Sequence, residues 1–376
     1  MKFADIPGNA ALKMSLVQSA DNGHVAHAQL FAGSEGGVGL MLALAYAQYI
    51  NCENPAQGDS CGVCFSCIKI SKSVHPDLHY CFPFAKTKRV EDDELNAYLP
   101  LFRQFLADSP YGTPADWAEL AEFENRTPII NIKSVRETMQ GLQLKAYEAK
   151  YKVQIIWLPE TMRTEGSNSF LKLLEEPPPF TVFLLVSDQP EQLLPTVVSR
   201  TQRVTIPRLD DETLAGYLVS KFGADPSRSH AVASLAAGSI PVALSLLNEE
   251  VDDYHALFME WQRSCFRNDL DKLIRHTENF QGMGKELQKT YLKYCMDKVR
   301  KSMVLSAGGI DALRLQESEA QELINLGKIF SLPLIGLLME QLETAYYHID
   351  RNASARMVFF DTSMIMANGY RNLRKN

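Results

Sequence analysis

Residues 28–47 read AQLFAGSEGGVGLMLALAYA, in which a short apolar run, a glycine-rich turn and a long apolar segment follow one another. The run from Gln29 to Ala32 predicts a strand, and the good helix formers after Gly39 predict a helix. A glycine-rich turn between a strand and a helix is where a phosphate-binding loop lies. The stretch therefore predicts the first strand–loop–helix unit of an α/β domain.

The glycine-rich turn departs from a working phosphate loop. The pattern GxxxxGK[ST] requires a lysine and a hydroxyl residue after its second glycine, whereas Leu40 and Met41 follow Gly39 here. The lysine would neutralise phosphate charge and the hydroxyl would bind Mg²⁺. We therefore interpret Gly33, Gly36 and Gly39 as a degenerate loop that permits close packing of helix on strand, and we expect no nucleotide binding.

Two later apolar runs extend the α/β pattern. Residues 152–158 predict a second strand, and residues 181–186 predict a third strand that is buried on both faces. A helix from about Ser167 to Glu176 lies between them and should end at the three prolines 177–179. Strands that alternate with helices imply a mostly parallel sheet covered by helices.

The end of the second strand also lacks an expected catalytic group. An acid that held Mg²⁺ or activated water would stand there, but the sequence has Leu158. Glu160 lies two residues further on, and we interpret it as a solvent-facing acid in a loop.

Four of the seven cysteines fall within sixteen consecutive residues, at Cys52, Cys61, Cys64 and Cys67. In a compartment that keeps thiols reduced, such clustering indicates metal or redox chemistry. Four thiolates match the closed tetrahedral shell of a structural Zn²⁺. Three alternatives stay open: buried cysteines without a ligand, an iron–sulfur cluster, and His75 in place of Cys52.

Composition restricts the class of protein. The chain has 376 residues, of which 46% are hydrophobic and 22% charged, so a disordered, collagen-like or rod-like chain is excluded. The net charge of −7 argues against a free-standing nucleic-acid binder, so any DNA contact should be local or shared with partners. The first residues carry an acid and no apolar signal core, and no apolar stretch reaches 18 residues, which predicts a cytoplasmic protein without membrane contact.

Residues 91–124 hold nine acids and one base, Arg103. We expect Pro100, Pro110 and Pro114 to break this segment, and we predict an inserted surface element with two short helices around a Ser-Pro-Tyr-Gly turn. The segment forms most of an acidic insertion at about residues 82–127, whose role the sequence leaves open.

Helical periodicity replaces strand signals after Pro207 and predicts a helical bundle at the end of the chain. Two helix faces stand out in the sequence: Leu334, Leu338, Leu342 and Ala345 on one, and Met357, Phe360, Met364 and Ala367 on another. We expect an α/β domain at 1–206 with the cysteine module at 52–67, a small helical domain at 207–248, and a C-terminal helical domain at 249–376.

Several motifs together resemble one family. They are AHAQLFAG at 26–33, the four cysteines, HPDL at 75–78, and NSFLKLLEEPPPFTVFLLVSDQPEQLLPTVVSRTQR at 168–203. The chain is similar over about 1–81 and 128–250 to the AAA+ subunits of the bacterial DNA polymerase III clamp loader, and most of all to the delta-prime family.

The resemblance implies an AAA+ domain of the P-loop type with a zinc module, a small helical lid, and a C-terminal collar that oligomerises. It implies a non-hydrolysing stator in a heteropentamer with delta and gamma/tau subunits, which loads the sliding clamp onto primer–template DNA. Arg200, with Ser199, would then act as an arginine finger in trans.

Two positions depart from family patterns. Thr201 stands where the arginine motif commonly has Cys, and Val242 is apolar where ATP-hydrolysing relatives usually carry an arginine. Two other functions stay open: an active gamma/tau-like ATPase and a zinc-ribbon module that binds nucleic acid.

Overall fold

The computed structural model describes residues 1–87, 90, 94–123, 126–143, 146–248, 254–306, 325, 332–351 and 353–373. Its contacts separate two compact units, Met1–Pro241 and Val242–Asn376. The finer division of the chain into three domains stays a prediction.

The first unit is built on a five-stranded sheet. Its strands are β1 Ala28–Ala32, β2 Leu78–Cys81, β3 Lys152–Trp157, β4 Thr181–Ser187 and β5 Gln202–Thr205. Their order is β2-β3-β4-β1-β5, and every neighbouring pair is parallel. All residues of β1, β3 and β4 are buried, including the polar Gln29, Lys152 and Gln154, as expected of strands that are covered on both faces. The predicted parallel sheet with flanking helices is confirmed.

Helices precede, separate and follow these strands along the chain. They are α1 Ala10–Asp21, α2 Gly39–Ile50, α3 Phe65–Ser71, α4 Leu95–Asp108, α5 Pro114–Leu120, α6 Ile132–Gln143, α7 Thr164–Glu175, α8 Pro195–Val198, α9 Asp211–Phe222, α10 Pro226–Ala236 and α11 Ile240–Asn248. Every residue of α2 after Gly39 is buried. α7 ends just before the three prolines, as predicted, but begins three residues earlier than the sequence suggested.

The acidic segment folds as two helices around a turn, in which the Gly112 N–H donates to the Ser109 carbonyl at 2.8 Å. Pro100 does not break the segment, contrary to our expectation, since it lies inside α4. Its missing N–H removes one helical hydrogen bond, and the buried rings of Tyr98 and Phe102 hold the helix on either side. Of the predicted insertion, residues 88–89, 91–93 and 124–125 lie outside the described residues.

An aromatic cluster anchors α4 and α5 to the sheet. Phe102 stacks on Phe82 with ring centroids 4.0 Å apart, and Trp117 meets both rings edge-on at 5.5 Å. Phe105 packs on Trp157 at the end of β3 with a centroid distance of 5.3 Å. The segment is therefore acidic outside and apolar inside, and only the outer face was evident from its charge.

The described residues of the second unit are helical apart from short connections. Its helices after α11 are α12 Tyr254–Arg267, α13 Leu270–Gly282, α14 Lys285–Ser306, α15 Leu332–Asp350 and α16 Ala355–Leu373. The four residues predicted to share one face of α15 are all buried. Among the described residues, no helix is long and apolar enough to cross a membrane.

The predicted face of α16 is only partly buried. Ala367 is buried and Met357 is 73% exposed, whereas Phe359 and Met366, outside that face, are buried. The Phe359 ring stacks between Trp261 and Phe280, at centroid distances of 4.7 and 4.2 Å. Apolar residues occupy both sides of this helix, so periodicity did not show which side packs inward.

Candidate functional site

The four clustered cysteines converge. The Sγ atoms of Cys52, Cys61, Cys64 and Cys67 all lie within 4.8 Å of one another. Cys64 caps the start of α3, where its sulfur accepts the Cys67 N–H at 3.4 Å. The Cys61 sulfur accepts the Cys64 N–H at 3.3 Å. These turns aim the sulfurs at one point, which is the geometry that a single metal ion requires.

The environment of the sulfurs favours bound thiolates. The N–H groups of Val63 and Cys64 lower the pKa of Cys61 to about 6. Burial raises the pKa of Cys67, which would make a thiolate there costly without a cation beside it. A metal ion is the natural partner for this donor set, because it binds thiolates and compensates their charge. The cluster can therefore hold a metal ion.

His75 lies outside this group. Its Nδ1 accepts the Asp77 N–H at 3.1 Å, and its Nε2 lies 3.6 Å from a Glu148 carboxylate oxygen. The Asp77 carboxylate in turn accepts the N–H groups of Tyr147, Glu148 and Ala149 at 2.6 to 2.8 Å. The His-Pro-Asp motif thus fastens the segment before β3 to the start of β2, and the geometry favours Cys52 over His75 as the fourth ligand.

The glycine-rich loop at the carboxyl end of β1 is closed. Gly36 has a φ of +70°, and its carbonyl accepts the Ile240 N–H at 3.1 Å. A Cβ at Gly36 would lie 2.3 Å from the Ser239 hydroxyl oxygen. The turn at 239–241, where α11 begins, therefore covers the loop at Gly36, whereas Glu35 of the same loop is exposed.

The rest of the loop serves packing. A Cβ at Gly39 would meet Val186 at 3.3 Å and Ile206 at 3.4 Å, so α2 starts close against the sheet. Leu40 and Met41 are buried in the first turn of α2. This geometry agrees with a structural turn, and the lack of nucleotide binding stays a prediction.

Glu160 is not a solvent-facing acid, and that interpretation was wrong. Its carboxylate accepts the N–H groups of Asp188 at 3.0 Å and Gln189 at 3.2 Å. Burial raises the pKa of Glu160, and burial together with the charges of Glu160 and Glu35 raises the pKa of Asp188 to about 7. Glu160 therefore ties the end of β3 to the end of β4, a role that sequence reasoning missed because the partners lie 28 residues away.

Arg200 lies on the surface after α8. Its guanidinium pairs with the Glu175 carboxylate at 2.6 Å, and another of its nitrogens donates to the Thr196 carbonyl at 3.0 Å. Ser199 also donates to Thr196, at 3.2 Å. Glu175 could not be predicted as the partner of Arg200 from the sequence, although it belongs to the Leu-Glu-Glu-Pro stretch.

Topology separates Arg200 from the loop of its own chain. Arg200 precedes β5, whereas the loop follows β1, and these neighbouring strands run parallel with Gln29 opposite Gln202. The loop thus begins four residues beyond that pair, about 13 Å further along the strand direction. Arg200 therefore lies at the amino ends of the strands, whereas the loop lies at their carboxyl ends.

Comparisons with known proteins place these features in a family. The family described as "DNA polymerase III, delta subunit" matches residues 8–210. The chain is 25% identical over 254 residues to DNA polymerase III subunit tau of Escherichia coli, covering 66% of this chain and 33% of tau. It is also 25% identical over 246 residues to DNA polymerase III subunit delta' of Pseudomonas aeruginosa, covering 65% of this chain and 63% of that protein.

A solved DNA polymerase III gamma subunit-related protein from Thermotoga maritima aligns over 96% of this chain and 100% of its own, at 14% identity. The TM-score of this alignment is 0.41. The chain spans about a third of the length of the tau relative. The residues matched by the family include the cysteine group, the closed loop and Arg200, so the resemblance seen in these motifs is confirmed and the chain belongs to the DNA polymerase III delta-subunit family.

Proposed function

We propose that the chain is a non-hydrolysing stator subunit of a cytoplasmic DNA polymerase III clamp loader. In this role it joins delta and gamma/tau subunits in a heteropentamer, and the assembly loads a sliding clamp onto primed DNA. The observation that carries the proposal is the closed loop, which lies between β1 and α2, where a phosphate loop would lie, while the turn at 239–241 covers it at Gly36.

The chemistry for hydrolysis is missing at each position where it is expected. Leu40 and Met41 replace the lysine and the Mg²⁺-binding hydroxyl, and Leu158 replaces the acid at the end of β3. Glu160 lies two residues beyond that position, and its Oε1 accepts the backbone N–H groups of Asp188 and Gln189. A bound triphosphate would therefore lack both charge neutralisation and a positioned metal ion.

Arg200 is proposed as the finger that serves the ATP of a neighbouring subunit. Its position at the other end of the strands from its own loop argues against a role in cis and supports the proposed role in trans. The Glu175 pair does not oppose this role, because both side chains are partly exposed and such pairs are weak. If a phosphate of the neighbour's ATP replaced Glu175 as the partner of Arg200, the Glu175 carboxylate would lose its ion pair, but that side chain is already half exposed to water.

Reconstitution of the loader with variant chains tests the proposal. Arg200→Ala should lower DNA-stimulated ATP hydrolysis by the complex, since arginine fingers contribute on the order of 10³ to 10⁵ in rate at the site that they serve. Arg203→Ala is the matched control, because Arg203 is exposed on the adjacent β5. Unchanged turnover with Arg200→Ala would remove the finger role.

An active gamma/tau-like ATPase is the second candidate, since relatives named tau and gamma/tau match the chain. This candidate predicts Mg·ATP turnover by the isolated chain, whereas the stator predicts none above background. Mg·ATP turnover by the isolated chain therefore distinguishes an ATPase from a stator before any complex is assembled.

The cysteine group is proposed to hold one structural Zn²⁺. Four sulfur ligands leave no open position on the ion, so the site would stabilise the fold and not activate water. The ligands in this proposal are Cys52, Cys61, Cys64 and Cys67.

A further inference from the structure

A groove of about 580 Å³ lies on the C-terminal unit between α12 and the start of α13. The charged side chains that line it are Arg263, Arg267, Lys272 and Glu260. Three of these four are cationic, although the whole chain carries a net charge of −7. The groove is therefore a local positive site on an acidic protein.

The two arginines are arranged in a line. Arg263 and Arg267 stand four residues apart on α12, so they share one helix face and are spaced by about 6 Å along its axis. Both are exposed, and within the described part of the chain neither guanidinium forms an ion pair. The Lys272 ammonium is 3.6 Å from a Glu260 carboxylate oxygen, which is a loose and exposed pair.

We infer that this groove binds the phosphodiester backbone of DNA. One guanidinium group can donate two parallel hydrogen bonds to the oxygens of one phosphate. Two arginines spaced along a helix face therefore suit a nucleic-acid strand, in which phosphates follow one another at regular intervals. The lining contains no phenylalanine, tyrosine or tryptophan on which a base could stack. The site therefore reads charge and not sequence.

This inference goes beyond the proposed function, which requires DNA only through the assembled complex. It also does not depend on the closed loop, on Arg200 or on the metal. The groove offers two or three phosphate contacts, so binding by the isolated chain should be weak and strongly dependent on salt.

Fluorescence anisotropy of the full chain with a labelled oligo(dT) strand of about 20 nucleotides tests the site. The double variant Arg263→Ala/Arg267→Ala should bind about tenfold more weakly at low salt. The plot of log affinity against log salt should become shallower by about 1.4, because each lost contact to a single strand removes about 0.7.

The matched control is Arg356→Ala/Arg371→Ala, which removes the same charge from exposed positions on α16. This control should keep the salt dependence of the unaltered chain. Circular dichroism of both double variants should match the unaltered chain, since all four side chains are exposed.

Three results would overturn the inference. The first is an absence of oligonucleotide binding by the unaltered chain at low salt. The second is an equal loss in both double variants, which would indicate an effect of overall charge. The third is tighter binding of polyglutamate of equal charge and length than of the oligonucleotide, which would assign the groove to an acidic protein partner.

Discussion

Leu40 shows why the closed loop cannot be restored by one substitution. The residue is buried in the first turn of α2, so a lysine there would place an ammonium in an apolar environment. We expect Leu40→Lys to lower the free energy of unfolding by about 1–3 kcal/mol and to produce no ATPase activity. Denaturant unfolding and Mg·ATP turnover measure these effects.

The matched control for this substitution is Leu40→Met, which conserves volume and should cost less than about 1.5 kcal/mol. ATP turnover by the lysine variant would contradict the view that the hydroxyl and the strand-end acid are also required.

Asp188 gives a prediction of pH dependence. Its pKa is raised in the folded state from an ordinary 3.8 to about 7, so the folded protein holds this proton more tightly than the unfolded chain. The contribution of Asp188 to stability is therefore complete below about pH 4 and is lost as the pH rises through about 7. Asp188→Asn should gain about 1–2 kcal/mol more at pH 8 than at pH 5, relative to the unaltered chain.

Denaturant unfolding at the two pH values provides the measurement for Asp188. Glu191→Gln, which changes an exposed acid three residues later, should show no such difference. An equal effect of Asp188→Asn at both pH values would mean that the carboxyl group is hydrated in solution.

At the ends of the strands, the sequence predicted which positions lack an expected functional group, but it did not predict which groups the side chains contact. Spacing alone predicts that Leu40, Met41 and Leu158 stand where an ATPase has catalytic residues, and this stays a prediction. The roles of Glu160 and Glu175 could not be predicted, because each depends on partners brought close only by the folded sheet. Charge in a sequence does not show which backbone groups a carboxylate will meet.

Among the secondary-structure elements, α3 depends most on the proposed metal. It has seven residues, too few for a stable isolated helix, and it begins at a cysteine of the cluster. We expect one Zn²⁺ per chain with negligible iron, and we expect Cys64→Ser to lose the metal. The loss should lower the unfolding temperature by roughly 5–10 °C and speed hydrogen exchange in residues 65–71.

Elemental analysis, thermal unfolding and hydrogen exchange measure these effects. Cys81→Ala is the control, because this buried cysteine lies in β2 outside the cluster and should leave the metal content unchanged. An iron-rich preparation, or metal retained by Cys64→Ser, would refute the assignment.

Elements with one dominant apolar pattern were predicted well from the sequence. β3, β4 and the end of α7 agree closely with continuous apolar runs and with the proline stop. The prediction failed where two signals competed. In α4, proline and acidic charge hid an aromatic face, and in α16, apolar residues on both sides hid the buried one. Packing decides such cases, and packing is a property of the tertiary fold.

The behaviour of the whole molecule towards nucleotide distinguishes a stator from an ATPase. A ligand that binds only the native state stabilises it by RT ln(1 + [L]/Kd), which is about 2.7 kcal/mol at a hundredfold excess over Kd. The closed loop predicts no stabilisation of the isolated chain at millimolar Mg·ATP. A gamma/tau-like chain would show a saturable rise of several degrees in unfolding temperature.

Because the chain forms two compact units, the transition must be assigned to the unit that carries the loop. Hydrogen exchange at residues 33–39 provides this assignment, since a phosphate held by backbone N–H groups would protect them. The Mg²⁺ salt without nucleotide is the control for ionic effects. Protection of the loop together with a saturable thermal shift would mean that the turn at 239–241 opens in solution, and the chain would then be a nucleotide-binding subunit.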